Sequence, residues 1–175
     1  MRGQIILSHG SDSGPDATKV SLLAAHAEAR GWRTQRPDYR VDDARGHAGC
    51  VAPRTARLRA TIEALPTPPL LVGSSMGAFV SGLASLDVPV LGLLLLATPP
   101  SIPGYARTFD LRAGVPAVLI HGWRDSVCPA DAVQAFASYR RLPLLMVDDD
   151  HRLAESMAAI TVQFQHLLDQ LASAA

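Results

Sequence analysis

Lysine is nearly missing from this sequence: its 175 residues hold fifteen arginines but a single lysine, Lys19. Aromatic residues make up only 5% of the chain, and no arginine cluster alternates with them. Acidic and basic formal charges cancel, with neither a basic run nor an acidic tail. That balance excludes the electrostatic footprint of a nucleic-acid binder and offers no attraction to an anionic membrane. Cysteine is scarce too. Cys50 and Cys128 lie far apart, with no metal-type spacing and no paired framework, so both read as free thiols. The longest apolar stretch, Val88 to Ala97, contains Pro89 and Gly92 and is about half a membrane span. Met1 to Gln4 runs directly into Ile5–Leu7 and then polar residues, too short a core for a signal peptide. A soluble, cytoplasmic protein without nucleic-acid or membrane partners is the expectation. Repeats and low-complexity segments are absent, as is any coiled-coil seam that would point to an oligomer.

Cofactor signatures are missing as well. No His/Asp/Glu set has metal-ligand spacing. The small polar segment Gly10–Gly14 lacks both Gly-x-Gly-x-x-Gly and Gly-Lys-Ser/Thr, the phosphate cradles of nucleotide-binding folds. Neither a metal nor a cofactor is expected.

What is present is globular: 48% apolar and 18% charged residues, in a length suited to one domain over 1–175. Short apolar runs at Gln4–Ser8, Arg33–Asp38, Leu70–Val72, Leu91–Ala97, Ala117–His121 and Leu144–Val147 read as strands. Several are continuously apolar, as in strands buried on both faces of a parallel sheet. Helical patterns lie between them. The first starts near Pro15, with Ser13 and Asp16 offering caps, and ends at Gly31; the second runs from about Pro53 to Leu65. Three more cover Met76 to about Leu86, Pro129–Arg140 and Leu153–Ala172. The last carries an apolar stripe from Leu153 to Leu171 that reads as core packing. This alternation predicts an α/β fold: a doubly wound, mostly parallel six-stranded sheet with helices on both faces. Two long connections remain, Tyr39–Cys50 and Thr98–Val115.

The most informative motif is Gly73-Ser74-Ser75-Met76-Gly77, placed after a strand and before a helix. At so sharp a turn the serine sits in strained backbone, and side chains at Gly73 and Gly77 would collide with neighbouring elements. The turn exposes the Ser75 hydroxyl, with the Met76 N–H pointing to where an oxyanion would form. A hydroxyl attacks only when a base takes its proton, so a histidine and an orienting acid are required later in the chain. Candidates follow at strand ends, where ligands bind in such sheets. These are Asp125 after the fifth strand and His151 after the sixth.

Nearly the whole chain resembles an α/β-hydrolase: Gly73-x-Ser75-x-Gly77, then His121-Gly122-x-x-Asp125-x-x-x-Pro129, then an acidic loop with His151. The resemblance implies Ser75 as nucleophile, His151 as base and Asp125 as orienting acid. Leu7-Ser8-His9-Gly10-Ser11 is similar to the family's His-Gly loop, which implies Ser11 as a second oxyanion donor beside Met76. The chain lacks the family's first hairpin and a lid domain, as in small lidless bacterial serine esterases. The implied activity is hydrolysis of a small carboxylic ester or thioester. Peptidase or lactone hydrolase activity, or a non-catalytic binding role on the same scaffold, are the alternatives.

Other readings attach to single residues. Asp125 also suits an N-cap before the Pro129 helix. Asp148, Asp149 and Asp150 are local alternatives for the acid, and Asp87 and Asp110 poorer ones. His9 is expected to shape the first loop and His121 to support the Asp125 turn, while His26, His47 and His166 fit surface or packing roles. Cys128 lies close enough to the acid loop to touch substrate. Arg107, Arg112, Arg124 and Arg152 are candidates for attracting an acidic substrate.

Overall fold

Ile5 and Leu7 belong to one apolar layer and Ile6, between them, to the other, the two-residue period of a strand covered on both sides. The structure, a computed structural model, describes residues 2–173, so Met1 of the leading segment lies outside the described residues. The order is β1 (Gln4–Ser8), α1 (Thr18–Glu28), β2 (Arg33–Gln35), α2 (Arg40–Asp43), α3 (Gly46–Glu63), β3 (Leu70–Ser74) and α4 (Met76–Asp87). It continues with β4 (Gly92–Leu96), β5 (Ala117–Gly122), α5 (Ala130–Arg140), β6 (Leu144–Val147) and α6 (Met157–Ser173). The strands form one six-stranded sheet in the order β2-β1-β3-β4-β5-β6. Every pairing is parallel, so the expected mostly parallel sheet is entirely so.

Helices α1 and α6 cover one face and α3, α4 and α5 the other. α6 buries Ile160, Phe164, Leu167, Leu168 and Leu171, each worth about 1.5–3 kcal/mol of transfer free energy. Its stripe packs as expected. The chain leaves β1 toward β2 on one side, then returns to place β3 on the other. This reversal makes the carboxyl ends of β1 and β3 the switch point, where an open α/β sheet leaves a crevice.

Four local expectations need correction. No side chain caps α1, whose N-cap is Ala17; Ser13 Oγ–H instead donates to the Gly10 carbonyl. The connection Tyr39–Cys50 is mostly helical, holding α2 and the start of α3. α3 passes through Pro53 although proline forfeits a helical hydrogen bond, because Cys50, Val51 and Arg54 are buried on its inner side. α6 starts at Met157 rather than Leu153. The Asp149 carboxylate takes the N–H groups of Glu155 and Ser156 just before that helix.

The second long connection carries no lid. Phe109 packs against Phe79 and Phe136, and a Cβ at Gly82 would lie 2.3 Å from the Phe109 ring. Arg112 binds the Ser85 and Leu86 carbonyls at the end of α4. The segment is strapped onto α4.

Candidate active site

Ser75 joins β3 to α4 with φ 53° and ψ −118°, a left-handed φ that a non-glycine residue holds only when its surroundings enforce it. They do. The Ser75 N–H is bound to the Leu96 carbonyl at 2.8 Å. A Cβ on Gly73 would stand 2.5 Å from the Gly77 carbonyl oxygen, and one on Gly77 would stand 2.1 Å from that of Ser8. Bare backbone at both positions lets β3, α4 and the end of β1 close together, and the serine hydroxyl is pushed outward.

Around that hydroxyl the chain assembles a hydrogen-bonded row. His151 Nε2 lies 2.9 Å from Ser75 Oγ, and His151 Nδ1 lies 2.7 Å from Asp125 Oδ2. The carboxylate only accepts, so Nδ1 carries the hydrogen and Nε2 is left to accept from the serine hydroxyl. Asp125 Oδ1 accepts the N–H groups of Val127 and Cys128 at 2.9 and 2.7 Å. Asp125 does not cap α5, whose N-cap is Pro129 without any side-chain cap bond; its Oδ1 closes the turn ahead of that helix instead, and its Oδ2 faces His151. His121 Nε2–H donates to the Cys128 carbonyl at 2.7 Å and lies 3.3 Å from Asp125 Oδ2. Its Nδ1 is buried without a partner among the described residues.

The other acids are engaged elsewhere. Asp148 pairs with Arg124, Asp87 with Arg59 and Asp110 with Arg140. Asp150 accepts the Arg152 N–H. Asp149 is buried; burial pushes its carboxyl up, but hydrogen bonds from Ser156, Asp150 and Glu155 outweigh this and hold it below the ordinary range.

His9 is buried at the end of β1. Its Nε2 accepts the Tyr39 N–H at 3.1 Å, so Nδ1–H donates to the Gly10 carbonyl at 2.7 Å. Burial lowers its pKa, partly opposed by the Gly10 hydrogen bond. It is the loop-shaping residue expected.

A cavity of about 770 Å³ opens over Ser75 and His151, with Ser11, Lys19, Val127, Arg152 and Met157 among its lining residues. Arg152 lines it, but Arg107, Arg112 and Arg124 do not, so three of the four arginines considered for an acidic substrate are misplaced for that role. Lys19 donates to the Arg152 carbonyl; desolvation lowers its pKa, against the pull of Asp149 and Asp150. The sequence assigned this residue no role, although it is the chain's one lysine. Ligand atoms of Asp125, Cys128 and His151 lie within 4.8 Å of one another. Burial, reinforced by the Asp125 charge, pushes the Cys128 thiol up to about 12. A metal there would have to displace the thiol proton and break the His151–Asp125 hydrogen bond.

Arg54 was missed altogether. Its side chain is fully buried and bound to the Asp43 carboxylate. It donates to the His9 and Gly10 carbonyls and stacks 4.7 Å from the Tyr39 ring centre. The available signal was an arginine falling on the same helical face as Cys50, Leu58 and Ile62.

No protein-family model matches the chain, and no curated protein does. Solved structures do. Est1E from Butyrivibrio proteoclasticus superposes with a TM-score of 0.76 at 16% identity, over 98% of this chain and 88% of that one. An esterase from Pyrococcus furiosus gives 0.78 at 14%, over 97% and 82%. At such identities these two report the fold. A candidate hydrolase of the alpha/beta superfamily from Xanthomonas campestris pv. campestris goes further. It is 40% identical with a TM-score of 0.91, covering 97% of this chain and 99% of that one. Identity at that level over almost both full lengths, on the same sheet, means that the chain belongs to the α/β-hydrolase superfamily.

Proposed function

We propose that this protein is a serine hydrolase that cleaves small carboxylic esters or thioesters through an acyl-enzyme. The observation that carries this reading is the unbroken row Ser75 Oγ–His151–Asp125, with links of 2.9 and 2.7 Å, at the mouth of an open cavity. Ser75 Oγ attacks the carbonyl carbon while its proton passes to His151 Nε2. The carbonyl oxygen becomes an oxyanion, held by the N–H groups of Met76 and Ser11. Neither N–H is donated to another described residue, so both are free to serve. The tetrahedral intermediate collapses, His151 gives the proton to the leaving alcohol or thiol, and the acyl group stays on Ser75. Water then enters by the reverse route, its proton taken by His151 and returned to Ser75 Oγ as the acid departs. Asp125 keeps the imidazole in the required tautomer and stabilises it when charged.

The lining and the neighbours support a small ester as substrate. Val127, Met157, Val20 and Ala154 supply apolar wall beside Ser75. No residue between Thr98 and Val115 lines the cavity, so substrates enter without displacing a cover. One of the superposing proteins is an esterase, and Est1E is known with ferulic acid bound, a carboxylic acid of the kind an ester would release.

Intact-mass spectrometry after exposure to a fluorophosphonate tests the reading without knowledge of the substrate. One adduct on wild type, absent from Ser75→Ala, is the expected result. A folded wild type that takes no adduct would refute an activated Ser75 and leave the scaffold as a binding protein. With an ester substrate, Ser75→Ala should lower kcat by roughly 10⁶ by the serine-protease precedent while the fold persists.

A further inference from the structure

The Gly10 carbonyl oxygen accepts three hydrogen bonds: His9 Nδ1–H at 2.7 Å, Ser13 Oγ–H at 3.0 Å and Arg54 Nη2–H at 3.1 Å. A surface loop carbonyl needs one partner or a water. Three donors converging on one oxygen, one of them a fully buried guanidinium, fix that peptide plane. In a trans peptide the C=O and the following N–H point in opposite directions. The N–H that follows Gly10 is that of Ser11, so clamping the carbonyl on one side aims the Ser11 N–H to the other. Gly10 also stands beside the nucleophile: a Cβ there would lie 3.4 Å from Ser75 Cβ.

Arg54 is built for this task. Asp43 occupies its Nε and Nη2 at 2.6 Å each, fixing the guanidinium plane and neutralising its charge. Nη1 and Nη2 then reach the successive carbonyls of His9 and Gly10 at 2.8 and 3.1 Å. Only a planar fork supplies two such donors from one rigid group. Donation to a carbonyl also polarises its amide and strengthens the N–H on the far side.

We propose that Arg54, held by Asp43, is a positioning residue of the oxyanion hole: with His9 and Ser13 it orients and polarises the Gly10–Ser11 peptide, whose N–H binds the oxyanion. The inference rests on the serine-hydrolase reading and adds a cause for the placement of the Ser11 donor. Arg54 touches no reacting atom. Its effect falls on kcat and on tetrahedral adducts, and binding of the intact ester is spared.

The test compares wild type with Arg54→Lys, Ser13→Ala and a control, Arg57→Gln, which breaks the neighbouring Arg57–Asp42 pair that reaches no loop carbonyl. Two quantities are read: kcat and KM for p-nitrophenyl acetate, and Ki for trifluoroacetophenone, which adds Ser75 Oγ to form a hemiketal oxyanion. Removing an oxyanion donor outright lowers kcat by about 10²–10³, an upper limit for a residue that only aims one. Arg54→Lys should lower kcat by about 10² and Ser13→Ala by a few-fold, on that same scale. KM should hold, and Ki should rise in proportion to the loss of kcat. The control should keep both constants. Ser13→Ala, at a half-buried loop position, decides the matter if Arg54→Lys does not fold. Unchanged kcat and Ki in Ser13→Ala and in any folded Arg54→Lys would overturn the proposal, as would equal losses in Arg57→Gln. A wild type without turnover or fluorophosphonate labelling would remove the underlying reading instead, so the two failures are distinguishable.

Discussion

The turn after β3 is held by what it omits, and the loop after β1 by what reaches it from elsewhere. At the first, Gly73 and Gly77 leave no Cβ in spaces where backbone stands 2.5 and 2.1 Å away. Ser75 is forced into a left-handed φ of 53°, a strain of about 1–3 kcal/mol. At the second, Asp12 also takes a left-handed φ, of 57°, but the peptides beside the nucleophile are held by hydrogen bonds rather than by bare backbone. His9 and Gly10 are fixed by Tyr39 and Arg54, 30 to 45 positions further along the chain. Both devices yield a rigid backbone facing the same cavity. The steric device needs only that two positions of one five-residue motif carry no side chain, whereas the polar one depends on charged groups of α2 and α3. Each should therefore fail in its own way.

Asp125 combines both modes in one carboxylate, and substitution there should have the largest effect. An asparagine in its place would still offer Oδ1 to the Val127 and Cys128 N–H groups, the local bonds of the turn. It would present an amide where His151 Nδ1–H now finds an acceptor. On the reading proposed above, Asp125→Asn should keep the fold and lower kcat by about 10⁴, the triad precedent. A loss below about tenfold, measured by steady-state kinetics on a folded variant, would show that His151 takes its orientation from another acid.

The polar device comes next. Arg54→Leu would strand Asp43, and breaking one side of a buried pair typically lowers stability by about 3–5 kcal/mol. Asp43 keeps some solvent contact, with 18% of its side chain exposed, which places the expected loss at the lower end. Arg54→Leu combined with Asp43→Leu should recover part of that loss in urea unfolding, because neither charge is then left alone. It should not recover activity. Full recovery of both would mean that the β1 loop holds its shape without the network, and the contrast between the two turns would collapse.

Gly77→Ala breaks the steric device instead. A Cβ 2.1 Å from the Ser8 carbonyl oxygen cannot be accommodated by rotating a side chain, since the obstacle is the main chain of β1. Overpacking of this sort destabilises by about 1–3 kcal/mol, and no second-site substitution of a charge should relieve it. Unfolding curves that match wild type would mean that β1 and α4 can separate without loss.

This division explains which parts could be read from the sequence. β1 and β6 fall on the residues expected, because a strand is marked by its own run of residues. The glycines around Ser75 announced their role through a compact five-residue motif, although the backbone that Gly77 admits is that of β1. The spacing of Asp125 and His151 was legible for a related reason: strand ends in a parallel sheet place their loops on one edge. Arg54, Tyr39 and Asp43 were not legible, since their partners are carbonyls of a distant loop that carry no residue-specific mark. Tyr39–Cys50 read as a long connection because the helix was expected to start only at about Pro53, yet Cys50 and Arg54 are buried by tertiary contacts that carry α3 back to Gly46. The straps over α4 were equally hidden. Arg112 read as a candidate for attracting an acidic substrate and Arg140 only as the end of a helix, whereas both bind backbone carbonyls.

Acid separates the β1 and β6 loops by pH and by size of effect, and the β6 loop is the milder case. Burial lowers the pKa of His9, so the unfolded chain binds its proton more readily. Stability from the β1 loop is complete above about pH 6.5 and declines as pH falls toward the depressed value. Asp149 works in the next range down. Its carboxyl is held below the ordinary value, because the Ser156, Asp150 and Glu155 hydrogen bonds outweigh the opposing effect of burial. Its stability is present above about pH 4 and is lost as pH falls through the depressed pKa. Asp149→Asn keeps one acceptor oxygen of two, so a loss of about 1–2 kcal/mol is expected at pH 7. Urea unfolding of both proteins at pH 7, 5 and 3 should show that gap undiminished at pH 5 and narrowed at pH 3, once the wild-type carboxylate begins to protonate. A gap that closes between pH 7 and 5 would assign the effect to a histidine, and the β6 loop would then depend on the same network as the β1 loop.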